Sequence, residues 1–431
     1  MRESKNLEYI FKQLESSELK VAENIYFGDN EIDLKETLSI RTPLVIRAVS
    51  TILLDAVERD ATDIHIEIYE ENMRIRYRID GRLVEIKRLD KNSSSAIVSR
   101  IKIMSNLDIS EKRVPQDGRM KIKMKDIYVD FRIAIVPTIN GEKVGIRILK
   151  SGIENLNLEK LSLSEKNREI LERNLESLSG LILVTGPTGS GKSTTLYTVL
   201  NHLNHGDKNI STVEDPVEYN LYGINQVQAR SDIGLSFSVV LKQFLRQDPD
   251  ILMVGEIRDK ETVEIAIKAA LTGHLVLSTL HTKNALSSVM RLENLGVESY
   301  LISAALKVVI SQRLVRKLCD NCKEVEELAE IKIKKMNLSL KKQDYYSEKK
   351  FLKNSIEGCE CCNFTGYKGR VPIHEILEIN GELRDAIEKR LSIKELEKIL
   401  ENSGSESFVE DGLKKAEQGI TSLNEIIEVS Y

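Results

Sequence analysis

Residues 186–193 read Gly-Pro-Thr-Gly-Ser-Gly-Lys-Ser, with the apolar run Leu181-Ile182-Leu183-Val184 before them and a helix-forming stretch after them. The G-x-x-x-x-G-K-S spacing calls for a strand, a tight loop and a helix, in that order. The glycines let the backbone curl so that successive N–H groups point at a triphosphate. Lys192 can then reach the outer phosphates, and Ser193 offers a hydroxyl to Mg²⁺. The helix that begins near Lys192 turns its positive end toward the same anions. Gly186, Pro187, Thr188, Gly189, Ser190, Gly191, Lys192, Ser193 and Thr194 are therefore the candidate nucleotide-binding residues, and the loop alone admits ATP or GTP.

Around this loop the pattern extends to a whole domain. Strand-like runs at 181–184, 210–213, 251–254 and 275–278 alternate with helical patterns near 191–204, 236–246, 260–272 and 284–295. Such alternation implies a mostly parallel sheet with its ligand at the strands' C-terminal ends. Before it, residues 42–59 have helical spacing. Ile64, Ile66, Ile68 and then Met73, Ile75, Tyr77, Ile79 alternate with polar residues up to Asp80-Gly81, a hairpin-rich pattern. Further strands near 129–136 and 144–149 and a helix near 95–106 make this an α+β unit.

The expected organisation is a short segment 1–41 of unassigned role, an α+β domain over 42–150, a linker 151–162 and a phosphate-loop domain over 163–318. A four-cysteine region over 319–370 and a helical C-terminal region over 371–431 follow. The Lys-rich stretch 331–350 is expected to be a solvated insertion.

Four acids fall near the loop in this scheme. Glu256 ends the apolar strand Ile251–Val254 after Gly255, the kind of element that orders Mg²⁺ and its water. Glu214-Asp215-Pro216-Val217-Glu218 ends a neighbouring strand, which places Glu214, Asp215 and Glu218 at the sheet edge facing the γ-phosphate. A general base must lie within hydrogen-bond reach of the attacking water, a part that Glu218 or Glu256 could fill. His274 and His281 bracket a strand, where an imidazole can donate to one group and accept from another.

All five cysteines lie between 319 and 362. Two C-x-x-C pairs, Cys319/Cys322 and Cys359/Cys362, suit tetrahedral Zn²⁺, with Cys361 left over; the competing reading is a redox pair or a set of reduced, inert thiols. A formal net charge of −4 asks for no nucleic-acid partner, and no apolar run is long enough to span a bilayer. A cytoplasmic protein is expected.

Several further blocks stand in a consistent order: Asp63-Ile-His-Ile-Glu67, Glu111-Lys-Arg-Val-Pro-Gln-Asp-Gly-Arg119, Asn140-Gly-Glu-Lys143 and Leu245-Arg-Gln-Asp-Pro-Asp250. With the phosphate loop, the 214–218, 251–256 and 272–282 segments and Cys359 to Arg370, the chain resembles the type II secretion and type IV pilus assembly ATPases of the secretion-ATPase superfamily. The resemblance runs from about residue 42 to the C-terminus. It implies a RecA-like motor domain preceded by a PAS-like α+β domain, with a zinc-binding insertion and a helical tail.

It also implies a homohexameric, Mg²⁺-dependent ATPase that acts on an inner-membrane platform protein and, indirectly, on pilin-like subunits. Such an enzyme works peripherally at the inner face of the cytoplasmic membrane. Arg132 and Arg147 match arginines that neutralise charge on the transferring phosphoryl group, and Arg246 matches an arginine of the motor domain. Zinc is implied to be structural, in an element that retraction motors generally lack. The alternatives are a motor for a DNA-uptake pilus or a nucleic-acid-translocating ATPase; direct nucleic-acid binding is not expected.

Overall fold

A computed structural model of the chain describes residues 9–13, 31–33, 42–124, 127–150, 156–336, 338 and 340–430. Most of the 1–41 segment and residues 151–155 of the expected linker lie outside the described residues. The chain divides into two compact units, Met1–Gly152 and Ile153–Tyr431.

The first unit holds β1 (Glu31–Asp33), α1 (Leu44–Glu58), β2 (Asp63–Ile68), β3 (Asn72–Ile79), β4 (Arg82–Asp90), α2 (Ser94–Met104), β5 (Gln116–Met124), β6 (Ile127–Thr138) and β7 (Gly141–Lys150). They form one sheet in the order β1-β5-β6-β7-β2-β3-β4. Every neighbouring pair is antiparallel except β1 with β5. Strict alternation decides which face is inside. Ile64, Ile66, Met73, Ile75, Tyr77, Phe131, Ile133 and Ile146 join α1 residues Ile52 and Leu53 and α2 residues Ile97 and Ile101 in one core. Tyr77 spends its hydroxyl on the Ile52 carbonyl at 2.8 Å, which satisfies the one polar atom that this ring buries. The other face carries the polar residues of the same strands.

The second unit begins with α3 (Glu165–Leu175), β8 (Gly180–Thr185), α4 (Lys192–Leu203), β9 (Ile210–Glu214), β10 (Asn225–Gln228), α5 (Phe237–Phe244), β11 (Ile251–Val254), α6 (Lys260–Leu271), β12 (Leu275–Leu280), α7 (Leu286–Asn294) and α8 (Ser299–Ala305). It continues through β13 (Leu306–Leu318), β14 (Glu324–Val325), α9 (Ala329–Lys334), α10 (Leu340–Ser347), β15 (Leu352–Lys353) and β16 (Tyr367–Glu378). It closes with α11 (Gly381–Glu388), α12 (Ile393–Ser403), α13 (Phe408–Glu417) and α14 (Leu423–Ser430). The main sheet runs β10-β9-β11-β12-β8-β13-β16 and is parallel throughout except for β16, which pairs antiparallel with β13. β8 is buried on both faces: Leu181 and Leu183 join one apolar layer, Ile182 and Val184 the other. A strand covered on both sides reads as an unbroken hydrophobic run, which is why Leu181–Val184 is recognisable in the sequence.

Two features depart from expectation. The sheet includes β13 and β16, neither of which the sequence pattern announces; β13 mixes Gln312, Arg313, Arg316 and Lys317 into its run, and β16 contains Pro372, His374 and Glu375. The Lys-rich stretch is not merely a solvated insertion. Ile333, Met336, Tyr346 and Phe351 pack with Leu413, Leu423 and Ile426 into a small separate core, while Lys334, Lys335, Lys342 and Lys350 are exposed.

Candidate functional site

The phosphate loop follows the C-terminal end of β8 and leads into α4, whose N-cap is Gly191 with φ +89°. Gly186 and Gly191 have reasons beyond their positive φ: a Cβ on Gly186 would collide with the Gln312 carbonyl, and one on Gly191 would meet the Gln312 side chain at 2.9 Å. Lys192 donates to the carbonyls of Gly186 and Pro187 at 3.0 and 3.1 Å, so its ammonium sits in the mouth of the loop. Burial pulls its pKa below the usual lysine value, partly offset by Glu256. Ser193 and Thr194 are on the first turn of α4 and exposed, whereas Ser190 is buried.

The ends of β11 and β12 deliver the next groups. Gly255 is bonded to the β9 end through its N–H on the Val213 carbonyl, at 2.8 Å, and Thr279 holds the Gly255 carbonyl at 2.7 Å. Glu256 is thereby fixed beside the loop. One of its oxygens pairs with Arg258, and the other lies 3.7 Å from His281 Nε2. Arg258 also reaches toward Asp215, at 3.9 Å. The His281 pKa is lowered by burial first, then by Lys192, with Glu256 pulling the other way. Lys192, Glu256, Arg258 and His281 therefore form one electrostatic group at one sheet edge. Arg258 is absent from the sequence reading, although an arginine two residues beyond the strand-ending acid is a visible signal.

Other expected residues fall elsewhere. Glu214 does not present a free carboxylate to the loop: it is buried, and accepts from Tyr197, from Thr212 at 2.6 Å and from Gln226 at 3.1 Å. Those donors turn it into the anchor of the β9 end. Glu218 lies just beyond, its backbone N–H on the Tyr197 hydroxyl at 3.1 Å. His274 precedes β12 and His281 follows it, so the two rings occupy opposite sheet edges, roughly 16 Å or more apart for a six-residue strand. His274 caps the end of α6, its Nδ1 3.0 Å from the Ala269 carbonyl, and does not reach the phosphate loop of its own unit. Arg246 is also at that far edge, exposed between α5 and the start of β11. Adjacency in the sequence misled here, because a strand's two ends open on opposite sides of a sheet.

In the first unit Arg132 and Arg147 are cross-strand partners on β6 and β7. With Asp63, His65, Asp117 and Arg119 they line a cavity of about 470 Å³. The alternation Asp63-x-His65-x-Glu67 aligns three polar residues on this face, opposite Arg78, Arg76 and Arg74 of β3. Asp63 holds Arg147 at 3.2 Å. Glu67 receives Arg74 at 3.1 Å, Arg76 at 2.8 Å and Lys143 at 3.4 Å. Burial opposes its ionisation, but the arginine hydrogen bonds win and bring it down to about 2.

The Sγ atoms of Cys319, Cys322, Cys359 and Cys362 all lie within 4.8 Å of one another. Measured edges are 3.6 Å (319–359), 3.8 Å (322–362) and 3.7 Å (359–362). A tetrahedron of thiolates about 2.3 Å from a zinc ion has edges of about 3.8 Å, so the donor set fits zinc. Burial disfavours the Cys362 thiolate, yet N–H groups of Cys359 and Gly366, each 3.2 Å from its sulfur, bring it down to about 6. Cys361 is exposed and turned toward Lys368, outside the cluster.

The model of the family described as type II/IV secretion system protein matches residues 41–428. The chain belongs to that family. It is 45% identical over 387 residues to the type II secretion system protein E of Pectobacterium carotovorum subsp. carotovorum, covering 90% of this chain and 76% of that protein. It is 46% identical over 386 residues to the type IV pilus assembly ATPase PilB of Myxococcus xanthus, covering 89% and 67%. Among solved structures, the pilus retraction motor PilT with bound ADP superposes with a TM-score of 0.58 at 27% identity, covering 88% of this chain and 96% of PilT. The family member described here thus has the α/β ATPase fold. Among its described residues, no helix is long and apolar enough to cross a membrane.

Proposed function

We propose that this chain is the motor that assembles a type IV pilus or a type II secretion pseudopilus, driven by ATP hydrolysis. The chain is an ATP hydrolase of the secretion and pilus-assembly kind. The observation that carries the reading is the convergence of Lys192, Glu256, Arg258 and His281 on one edge of the β11–β12–β8 array. Backbone N–H groups of residues 186–191 and the start of α4 hold the phosphates. Lys192, drawn from its carbonyls, contributes a partly desolvated positive charge. Glu256 orients the attacking water, and Arg258 and His281 fix that carboxylate's direction; Glu218 is the alternative base.

Ser193 and Glu256 supply hard oxygen donors suited to Mg²⁺, which when bound neutralises charge on the outer phosphates. In a homohexamer, Arg132 and Arg147 of the PAS-like unit serve a nucleotide held by a neighbouring chain, and Asp63 presents Arg147 for that task. Arg246 and His274, on the far sheet edge, contribute through contacts between chains. Zinc on the four cysteines is structural: with four thiolates no position is open for chemistry. It stiffens the arm that meets an inner-membrane platform protein, and the ring works peripherally on the cytoplasmic side. The test is electron microscopy of surface filaments in cells lacking the gene and in cells carrying only Lys192→Ala. Loss of filaments in both supports the reading. Unchanged filaments reject surface-pilus assembly and leave secretion or DNA uptake.

A further inference from the structure

The residue that sets the shape of the phosphate loop comes from far along the chain. Gln312 lies near the middle of β13, one residue past Ser311, which pairs with Thr185 at the end of β8. It therefore sits under the loop, and it is almost completely buried. Its side-chain amide is used at both ends. The Oε1 atom accepts from the Thr195 hydroxyl on α4 at 2.6 Å, and Nε2 donates to the Ser190 carbonyl at 2.5 Å. Its backbone carbonyl occupies the space a Cβ on Gly186 would need, and its amide nitrogen the space beside Gly191. One residue thus touches the loop's first glycine, its last glycine, the intervening Ser190 and the first turns of the helix behind it.

A loop that binds an anion must turn its N–H groups outward, and its carbonyls must then be satisfied on the inner side. Gln312 does this for Ser190. Resting on the reading of residues 186–194 as the nucleotide site, we propose that Gln312 is the positioning residue that holds the phosphate loop in its anion-binding shape. It does so by clamping the Ser190 carbonyl and the Thr195 hydroxyl together. A side chain that both donates and accepts is required. Glutamate keeps the acceptor for Thr195 but sets a carboxylate against the Ser190 carbonyl; methionine fills the volume and makes neither bond. Because the clamp acts on the pre-formed loop, its loss weakens ADP and ATP binding alike and spares the chemical step.

The test measures MgADP affinity and MgATP turnover for wild type, Q312M, Q312E, T195V, T195S and K192A. Q312M and Q312E are expected to raise the MgADP Kd and the MgATP KM together, by about tenfold to hundredfold, with kcat at saturation within about threefold. T195V is expected to raise Kd by up to about tenfold, and T195S, which keeps the hydroxyl, to restore binding to within about threefold. A packing role alone would lower the melting temperature without this split between KM and kcat. The inference is overturned if Q312M and Q312E bind MgADP within about twofold of wild type while K192A loses binding. If the Gln312 variants do not fold, T195V against T195S decides, and equal affinities overturn it. Failure of wild type itself to bind nucleotide, matching K192A, sinks the reading of the loop and the clamp with it.

Discussion

Replacing Cys362 with serine should abolish zinc binding by the four-cysteine cluster and cost the second unit a measurable part of its stability. Cys319 and Cys359 are 40 residues apart, and a metal held by both pairs closes the chain between them. Cross-linking a loop of that size removes about 4 kcal/mol of conformational entropy from the unfolded state. For a domain this large, 1 kcal/mol moves the unfolding midpoint by about 2 °C, so the expected loss is about 8 °C. The contacts that depend on the knuckles point the same way: the Cys319 N–H bonds the Gly366 carbonyl at 3.0 Å, and Tyr367 bridges Asn354 and Ser422. The assay is atomic absorption plus differential scanning calorimetry on wild type, Cys362→Ser and Cys361→Ser. Wild type and Cys361→Ser should carry about one zinc per chain and melt together, since Cys361 lies outside the cluster. Metal-free wild type, or a Cys362→Ser midpoint equal to wild type, would refute the argument.

Other expectations concern buried polar groups. His374 is wholly buried beside Asp411 and Lys415, and burial, aided by Lys415, pushes its pKa well below 6.5. The folded ring stays neutral while the unfolded one protonates below 6.5, so stability present above that pH is lost as pH falls. From 6.5 to about 5 the slope should approach about 1.4 kcal/mol per pH unit, and His374→Met should flatten it in urea titrations at stepped pH. Tyr197→Phe removes the donor to Glu214 and the acceptor for the Glu218 N–H. It should cost about 1–3 kcal/mol in denaturant unfolding; a cost near zero would show that Glu214 finds another donor.

How much was legible in the sequence follows from the range of the interactions involved. The phosphate loop is a local object: its glycines, Lys192 and the β8 run lie within a dozen residues, and each residue type is dictated by a neighbour along the chain. The Asp63-x-His65-x-Glu67 face is legible for the same reason, because strand alternation alone aligns it. The two cysteine pairs lie 40 residues apart, too far for spacing alone to join them, and it is the fold that brings their four sulfurs within 4.8 Å of one another. Gln312 is a different case. Its role depends on β13 lying beside β8 and on Ser190, 122 residues earlier, and nothing local distinguishes it from any polar strand residue. Glu214 was misplaced because a strand-ending acid looks the same whether it faces a ligand or accepts from Tyr197, Thr212 and Gln226 inside the fold. β16 is not announced because its buried polar residues depend on distant contacts: the His374 backbone N–H donates to Asp411 at 2.7 Å, and Glu375 accepts from the Ala285 N–H at 2.8 Å.

Hydrolysis is proposed to occur at the edge where Lys192 and Glu256 meet. This is tested most directly by phosphate release from purified wild type, Lys192→Ala and Glu256→Gln in MgATP, with nucleotide binding measured on the same samples. The account predicts turnover by wild type, loss of nucleotide binding in Lys192→Ala, and retained binding with turnover down about 10²- to 10⁴-fold in Glu256→Gln. Wild-type turnover by Glu256→Gln would contradict it.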